Sequence, residues 1–407
     1  MIRLAFSHLA LCVLCGAGFT VLPGLASAGW MAQTSGTTAL LWWVHFPVDV
    51  QTGYIVGVPD TILKTTDGGA TWVSQMSGTT VQLFSVHFPT NALTGYVVGG
   101  SGTILKTTNG GAAWVNQTSG TSEYLWSIHF PIDEQTGYAV GGFTNTQVIL
   151  KTTNAGLNWV SQSSSVAHGL ACVYFPIDPQ TGYAVGFSGT ILKTTNGGAT
   201  WESQSSGTTY DVWSVNFAMD VDTGYIVGGA GTIFKTTNGG TNWVGQPSGT
   251  NLSLNSVHFP QNSQIGYIVG ESGTILKTTD GGTSWLQQVS GTSSGLFIVQ
   301  FPVDALTGYA VGDGGTILKT TDGGVGVEET GGSRQKAVGS ITSTPNPFTT
   351  FATLPGHEAE RFSLYDVSGR KVGTYKGDRV GEGLSPGVYF VRALDREAGL
   401  GRVVKVR

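Results

Sequence analysis

The stretch Lys64-Thr65-Thr66-Asp67-Gly68-Gly69-Ala70-Thr71-Trp72 recurs six more times along the chain with small variations. The later copies begin at Lys106, Lys151, Lys193, Lys235, Lys277 and Lys319. A Gly-Tyr pair precedes each copy, and successive tyrosines lie 42, 42, 45, 42, 42 and 42 residues apart. A four-stranded propeller blade takes about 40–45 residues, so this period predicts an all-β protein with a seven-bladed propeller.

One repeat divides into four short strands, A to D. Residues 83–88, 95–99, 103–107 and 114–117 are rich in β-formers and are separated by turn residues. Asn109-Gly110 favours a tight turn between strands C and D, because Asn and Gly tolerate positive φ. Glycine accounts for 62 of 407 residues, as expected for many turns between short strands.

The two ends of the repeat region complement each other. Six repeats continue after the C–D turn with Trp-x-x-Gln, whereas the seventh continues with Val325 and has no Trp. Residues 29–37, which contain Trp30, align with residues 71–79. We therefore expect the N-terminal strand to complete the last blade, which closes the ring and removes a free sheet edge.

The pattern Thr65-x-Asp67-x-Gly69-x-Thr71-Trp72 resembles the Asp-box, or bacterial neuraminidase repeat. Over residues 29–324 the wider repeat is similar to the propellers of photosystem II stability/assembly factors. This resemblance implies a structural role in which an Asp or Asn caps the C–D turn and the Trp packs into the blade. The turn residues are Asp67, Asn109, Asn154, Asn196, Asn238, Asp280 and Asp322.

Residues 1–28 are typical of an export signal. Arg3 precedes a short apolar run, and Ala26-Ser27-Ala28 offers small residues for cleavage before Gly29. The run is too short for a membrane span, so no transmembrane anchor is expected after cleavage. The mature chain would keep one cysteine, Cys172, and so could form no internal disulfide.

The C-terminal part differs from the repeats. Residues 325–343 are a predicted linker, and the alternating segments of residues 344–407 predict a small immunoglobulin-like β-sandwich. These segments resemble the C-terminal sorting domain of type IX secretion substrates. The resemblance implies that the outer-membrane export machinery is a partner, and that the protein passes through the periplasm to the cell surface or the medium.

The charge distribution excludes some function classes. Between Leu4 and Ser333 there is no arginine, and residues 29–324 hold seven repeat lysines against sixteen acids, a net charge of −9. Nucleic acid is therefore not expected as a partner. The sialidases that these repeats resemble hold a carboxylate with clustered arginines, which are missing here, so we assign no catalytic residue. The basic surface associated with the photosynthetic relatives is missing too, which counts against the same role.

Two groups of residues depart from the repeat in ways that allow other functions. Glu123, Glu202, Asp211 and Glu271 are not required by the repeat, and three of them lie in loops on one face. They allow a glycan-active hydrolase, although isolated acids in turns are usually only solvated. Aromatic residues share the start of strand A: Trp42, Phe84, Trp126, Trp213 and Phe297. Alternation places them with the core valines and favours packing between blades over stacking on a sugar.

A polar position near the end of strand A is the candidate ligand site. Alternation predicts that it faces the central channel, on the side opposite Val86 and Phe88. It is occupied by His45, His87, His129, Tyr174, Asn216, His258 and Gln300. A metal site is not assigned because no carboxylate lies on this side, and no cofactor is expected.

These observations predict a monomeric, exported, non-enzymatic propeller that binds a protein or glycan ligand. Two alternatives remain open at this stage. One is an extracellular glycan-active hydrolase that uses the loop carboxylates, and the other is a periplasmic assembly or scaffold protein like the photosystem II assembly factors.

Overall fold

The computed structural model of the protein describes residues 29–218 and 220–324, and, in the tail, residues 352–353, 361–366, 371–376, 379–380, 387–393 and 401–405. The predicted signal segment, 1–28, and the predicted linker, 325–343, lie outside the described residues. The chain divides into two units, one ending at Val327 and one beginning at Glu328.

The first unit consists of antiparallel four-stranded sheets, one for each repeat. Strand β1 is Met31–Gln33. Blade 1 contains β2 (Leu40–His45), β3 (Gly53–Val58), β4 (Thr61–Thr65) and β5 (Val73–Gln75). Blade 2 contains β6 (Leu83–His87), β7 (Gly95–Gly99), β8 (Ile104–Thr107) and β9 (Val115–Gln117). Blade 3 contains β10 (Leu125–His129), β11 (Gly137–Gly141), β12 (Val148–Thr152) and β13 (Val160–Ser161).

The later blades repeat this order. Blade 4 contains β14 (Leu170–Tyr174), β15 (Gly182–Gly186), β16 (Ile191–Thr194) and β17 (Glu202–Gln204). Blade 5 contains β18 (Val212–Phe217), β19 (Gly224–Gly228), β20 (Thr232–Thr236) and β21 (Val244–Gly245). Blade 6 contains β22 (Leu254–His258), β23 (Gly266–Gly270), β24 (Ile275–Thr278) and β25 (Leu286–Gln287). Blade 7 contains β26 (Leu296–Gln300), β27 (Gly308–Gly312) and β28 (Ile317–Thr320), with β1 as its outer strand.

The N-terminal strand closes the ring. Met31 pairs with Lys319 and Gln33 with Ile317, so β1 is antiparallel to β28. The indole of Trp30 is buried and meets the Phe301 ring edge-on, with 5.9 Å between ring centroids. The predicted seven-bladed, all-β propeller and its closure by the N-terminal strand are confirmed.

The recurring Gly-Tyr pair is explained by the core between blades. Tyr54 of blade 1 is fully buried and stacks on Phe88 of blade 2, with 4.0 Å between ring centroids. A Cβ atom on Gly95 would lie 2.4 Å from the Phe88 ring, so only glycine fits beside it. Val86 and Phe88 belong to the buried core of this interface, as alternation predicts.

Each strand A carries a β-bulge that the sequence does not predict. In blade 2 the register with β7 shifts between Leu83 and Ser85, so Phe84 has no partner. The same shift occurs in the other six blades. A bulge interrupts the alternation of side chains along a strand. The expectation that Phe84 and its equivalents point with the core valines rests on unbroken alternation, and that premise is wrong.

Short 3₁₀ turns connect strands B and C in blades 4 to 7: Phe187–Gly189, Gly229–Gly231, Glu271–Gly273 and Asp313–Gly315. Within the described residues, no helix has the length and apolar character needed to cross a membrane.

The described parts of the tail are also β-structure. Its strands are β29 (Ala352–Thr353), β30 (Arg361–Asp366), β31 (Lys371–Lys376), β32 (Arg379–Val380), β33 (Gly387–Ala393) and β34 (Gly401–Lys405). One antiparallel sheet has the order β31-β30-β33-β34, and β29 pairs with β32. Phe362 and Leu364 are buried. The immunoglobulin-like sandwich stays a prediction.

Candidate binding site at the channel mouth

The Asp-box residues are engaged in their own turns. Thr65 Oγ1 donates to Asp67 Oδ1 at 2.8 Å, and the Thr71 N–H donates to the same oxygen at 2.9 Å. Hydrogen bonds from the hydroxyl and backbone of Thr71, and from Thr65, lower the pKa of Asp67 to about 2. The same Thr-to-Asx bond is present at Asn109, Asn154, Asn196, Asn238, Asp280 and Asp322.

The repeat lysines and tyrosines fasten each blade to the next. Lys64 Nζ donates to the carbonyl of Gly110 in blade 2 at 2.7 Å, and the Tyr54 hydroxyl donates to the same oxygen at 3.1 Å. The Lys64 ammonium also lies 5.4 Å from the centre of the Tyr54 ring. The other joints use the carbonyls of Ala155, Gly197, Gly239, Gly281, Gly323 and Gly68. All seven lysines of residues 29–324 are therefore held at blade joints.

The predicted channel position also links neighbouring blades. The A strands of adjacent blades contact one another, and polar side chains at this position accept a backbone N–H from the next A strand. These pairs are His129 with Phe175, Asn216 with Phe259, His258 with Phe301 and Gln300 with Phe46. His45 Nε2 lies 3.2 Å from the carbonyl oxygen of Phe88. The Tyr174 ring packs against that of His129, with 5.2 Å between centroids.

Three of these histidines form a row across blades 1 to 3. The ring centroids of His45 and His87 are 4.8 Å apart, and those of His87 and His129 are 5.0 Å apart. Burial lowers the pKa of His45 to about 4 and that of His129 to about 3. Burial and the two neighbouring imidazoles hold the pKa of His87 well below 6.5. The row is therefore neutral at pH 7, and the described residues contain no cluster of three or more candidate metal ligands.

Aromatic side chains gather at the other end of the A strands. We call this group the channel-mouth cluster: Trp42, Phe84, Tyr124, Trp126, Phe143, Phe187, Trp213 and Phe297. Trp42 stacks on Phe297 at 4.3 Å between centroids, and Phe84 approaches Trp126 at 4.4 Å. Trp42 also lies 6.3 Å from Trp126, which joins blade 1 to blade 3 across the ring. These aromatics thus pack against rings of neighbouring blades, which agrees with the predicted packing between blades, although the bulge breaks the alternation from which that prediction was drawn.

The one long repeat supplies the most exposed member of the cluster. The 45-residue spacing falls in blade 3, and the extra residues lengthen the turn between β11 and β12. Phe143 in this turn is 43% exposed, and its ring lies 4.9 Å from that of Tyr124 and 5.5 Å from that of Trp126. Trp126 Nε1 holds the turn by donating to the Gly142 carbonyl at 2.8 Å.

Two blades lack an aromatic at the bulge position. In blade 4 the residue is Ala171, and Phe187 from the following turn continues the cluster by meeting Trp213 at 5.5 Å. In blade 6 it is Asn255, whose Nδ2 donates to the Leu296 carbonyl at 2.8 Å. The cluster therefore draws on six blades and is interrupted by polar groups at the remaining one.

Three acids that depart from the repeat consensus fasten the loops around the cluster. Glu123 Oε2 accepts from Thr146 Oγ1 at 3.2 Å in the long turn of blade 3. The Ser188 N–H, next to Phe187, donates to Asp211 Oδ1 at 2.8 Å. The Ser253 N–H donates to Glu271 Oε2 at 3.3 Å. The fourth acid, Glu202, lies instead on the outer strand β17, opposite Lys193.

An open cavity of about 570 Å³ lies beside this face, between Ser188–Thr190 and residues 203–210. Its lining consists of serine, threonine, glutamine and glycine with Tyr210, and it contains no carboxylate.

The fold and these joints define a seven-bladed propeller of Asp-box repeats. A model of the family described as the photosynthesis system II assembly factor YCF48 matches residues 22–115, 162–246 and 206–292, together more than half of the chain. The chain belongs to this family.

Two solved structures illustrate the likeness. "YCF48 bound to D1 peptide" is 23% identical with a TM-score of 0.60, and the match covers 74% of this chain and 97% of that one. YCF48 from Cyanidioschyzon merolae is 18% identical with a TM-score of 0.60, and covers 72% and 98% respectively. At these identities the likeness shows the fold. No curated protein matched the sequence.

Sequence reasoning missed Tyr124, Phe143 and Phe187 as members of one site. Two signals pointed to them: the single repeat with three extra residues and the small Ala171 where an aromatic is usual. Neither signal shows that the side chains meet, because the contacts cross between blades.

Proposed function

We propose that this protein is a non-enzymatic binding propeller and that the channel-mouth cluster holds a segment of another polypeptide. The observation that carries the proposal is the cluster itself, since six blades contribute aromatic side chains to it, five of them from strand A and blade 4 from the turn between its strands B and C. Large aromatic side chains at a fixed surface are typical anchors of protein interfaces. Sites built on strands keep their geometry better than sites built on loops alone.

Family membership supports a polypeptide as the ligand. The relative titled "YCF48 bound to D1 peptide" holds a peptide, and it shares the propeller fold with this chain. We take from it the class of ligand and not the particular peptide, because at 23% identity the two chains share the fold and few side chains.

A non-enzymatic role agrees with the placement of the acids. Glu123, Asp211 and Glu271 each serve a different loop, and each accepts a hydrogen bond that fixes that loop. A glycosidase needs two carboxylates that flank one bond, and the cavity beside this face has none. We expect no turnover of a glycoside panel; turnover abolished by Glu123→Gln or Glu271→Gln would contradict a binding role.

Export to the cell surface or medium is part of the same proposal. It is supported by the signal-like residues 1–28 and by the resemblance of residues 344–407 to type IX sorting domains. A protein placed there would meet its ligand outside the outer membrane.

The binding role can be tested on an array of 15-residue peptides probed with the purified protein. Phe143→Ala removes the most exposed ring of the cluster and should abolish or strongly weaken the captured signals. Ile132→Ala is the matched control, since Ile132 is an exposed apolar residue of the same blade in the loop between β10 and β11. Capture that is equal in both variants, or no capture at all, would contradict the proposal.

A further inference from the structure

We propose that the channel-mouth cluster selects a polypeptide segment that presents arginine, with the guanidinium group stacked on the aromatic faces. The inference rests on the proposed function, because it specifies the ligand of the same site. It is carried by the charge of the surrounding loops together with the chemistry of the cluster.

The loops around the mouth carry charge of one sign. The turns between strands B and C and the loops that lead into strand A contain five carboxylates: Asp60, Glu123, Asp211, Glu271 and Asp313. The same described loops contain no lysine or arginine. The repeat lysines lie at the opposite end of strand C, where each donates to a carbonyl of the next blade. No lysine or arginine of residues 29–324 therefore neutralises this face, and the one histidine of these described loops, His168, lies with its Nδ1 2.7 Å from the Thr144 carbonyl oxygen.

Two of the carboxylates are hydrogen-bonded into the turns that carry rings of the cluster. Glu123 precedes Tyr124 directly and bonds the turn that carries Phe143. Asp211 bonds the residue after Phe187. Each of these carboxylates uses one oxygen in its loop, and its second oxygen accepts no hydrogen bond from a described residue. Those oxygens can accept hydrogen bonds from a cationic ligand.

Glu271 extends this arrangement to the polar gap at blade 6. It accepts from the Ser253 N–H, and Ser253 Oγ in turn accepts from Trp213 Nε1 at 3.1 Å. Glu271 is thus linked through Ser253 to the indole of Trp213, a member of the cluster. Ser253 and Glu271 belong to blade 6, whose bulge position is Asn255.

None of the three indole N–H groups of the cluster is open to a ligand, since that of Trp42 is buried. The indole N–H groups of Trp126 and Trp213 are already bonded within the protein, to Gly142 and Ser253. An aromatic face attracts a cation through its quadrupole, and tryptophan does so most strongly. Arginine suits the site better than lysine because its planar guanidinium stacks on rings and bonds carboxylates with two N–H groups at once.

Matched peptides can test this selection on the purified full chain. We would use labelled eight-residue Gly/Ser peptides that contain two arginines, two lysines, two citrullines, two phenylalanines or two glutamates, and measure binding by fluorescence anisotropy. Citrulline has nearly the shape of arginine and no charge. We expect the arginine peptide to bind about tenfold tighter than the citrulline peptide and the glutamate peptide not to bind.

Variants of single residues test whether the arginine peptide binds at the channel-mouth cluster. Phe143→Ala and Glu123→Gln should each weaken the arginine peptide several-fold, and Glu123→Gln should leave the citrulline peptide unchanged. Ile132→Ala and Glu202→Gln are the matched controls on other surfaces of the ring and should change neither. Thermal unfolding of each variant shows that it is folded.

The outcomes separate this inference from the proposed function. If phenylalanine or citrulline peptides bind as tightly as arginine and Phe143→Ala weakens them all, the cluster is a peptide site without cation selection, and only this inference is wrong. If the glutamate peptide binds best, the inference is also wrong. If no peptide responds to Phe143→Ala, the proposed function is wrong as well.

Discussion

Three chemically different kinds of side chain do the same job in four of the seven blades, near the end of strand A. Histidine, asparagine and glutamine there each offer an acceptor atom to a backbone N–H of the next blade, as His258 does for Phe301 and Asn216 for Phe259. The N–H is buried, and leaving such a group without a partner costs about 1–3 kcal/mol. In these four blades the side chain supplies an acceptor atom within reach of that N–H, and neutral imidazole does so as well as an amide.

This role predicts how stability depends on pH. Burial lowers the pKa of His258 from 6.5 to about 4, so the unfolded state binds more protons than the folded state between these values. The stability contributed by the neutral imidazole is complete above pH 6.5 and is lost as the pH falls toward 4. The slope is up to about 1.4 kcal/mol per pH unit for each such histidine.

His258→Asn should flatten this dependence while keeping the acceptor that Asn216 already provides in blade 5. The reciprocal change, Asn216→His, should steepen it. Thermal unfolding of the three proteins between pH 4 and 8 checks both; parallel curves would contradict the assignment.

A second prediction concerns the joint residues. Tyr54→Phe removes the hydroxyl that donates to the carbonyls of Ala92 and Gly110 while leaving the ring stack on Phe88. We expect a loss of about 1–2 kcal/mol in the free energy of unfolding, since Lys64 still serves Gly110. Urea denaturation measures it. Tyr210→Phe, at an exposed tyrosine, is the control, and equal losses in both variants would refute the importance of the joint.

At the scale of elements, blade 7 differs from the other blades because its outer strand, β1, comes from the opposite end of the repeat region. Deleting residues 29–35 removes β1 and with it Trp30, and leaves an edge of β28 unpaired. We expect the melting temperature of the whole ring to fall. Trp30→Ala alone should cost about 3–5 kcal/mol, whereas Met31→Ala, at a partly exposed side chain, should cost much less. An unchanged melting temperature after the deletion would contradict closure as a source of stability.

The strands were predictable because each repeat presents the same short β-segments between the same turn residues. For blade 2 the predicted limits 83–88, 95–99, 103–107 and 114–117 differ from the observed strands by one residue at most at either end. Closure of the ring was predictable for a related reason. The seventh repeat lacks the Trp that follows the C–D turn, and Trp30 at the N-terminal end of the repeats supplies it.

The candidate site was not predictable to the same degree. Phe84 is an ordinary β-former, and nothing in its neighbours distinguishes a bulge from continuous pairing. Strand alternation alone therefore could not show that the aromatics of several blades gather into one cluster. The hydrogen bonds between blades were not predicted for another reason. Lys64 and Gly110 are 46 residues apart, and the repeat shows that each of them recurs but not that they are in contact.

At the scale of the whole molecule, the two units divide the work in our proposal. The propeller contains the ligand site, and the net basic tail directs export. Truncation after Gly339 should then leave a folded propeller retained in the periplasm of a host with type IX secretion. Fractionation and immunoblotting of truncated and full-length protein measure this. A truncated protein that reaches the surface or medium at the full-length level would show that the tail is not a sorting domain.

The pairing of β1 with β28 also sets the order in which the newly made chain can fold. Met31 leaves the ribosome early, and its partner Lys319 follows 288 residues later. Until then the joint from Tyr309 and Lys319 to Gly68 cannot form. A chain that stops short of Lys319 keeps two unpaired strand edges, one at each end of an open arc of blades. Such edges invite pairing with another chain, so incomplete translation products are the form of this protein most exposed to proteases and to self-association.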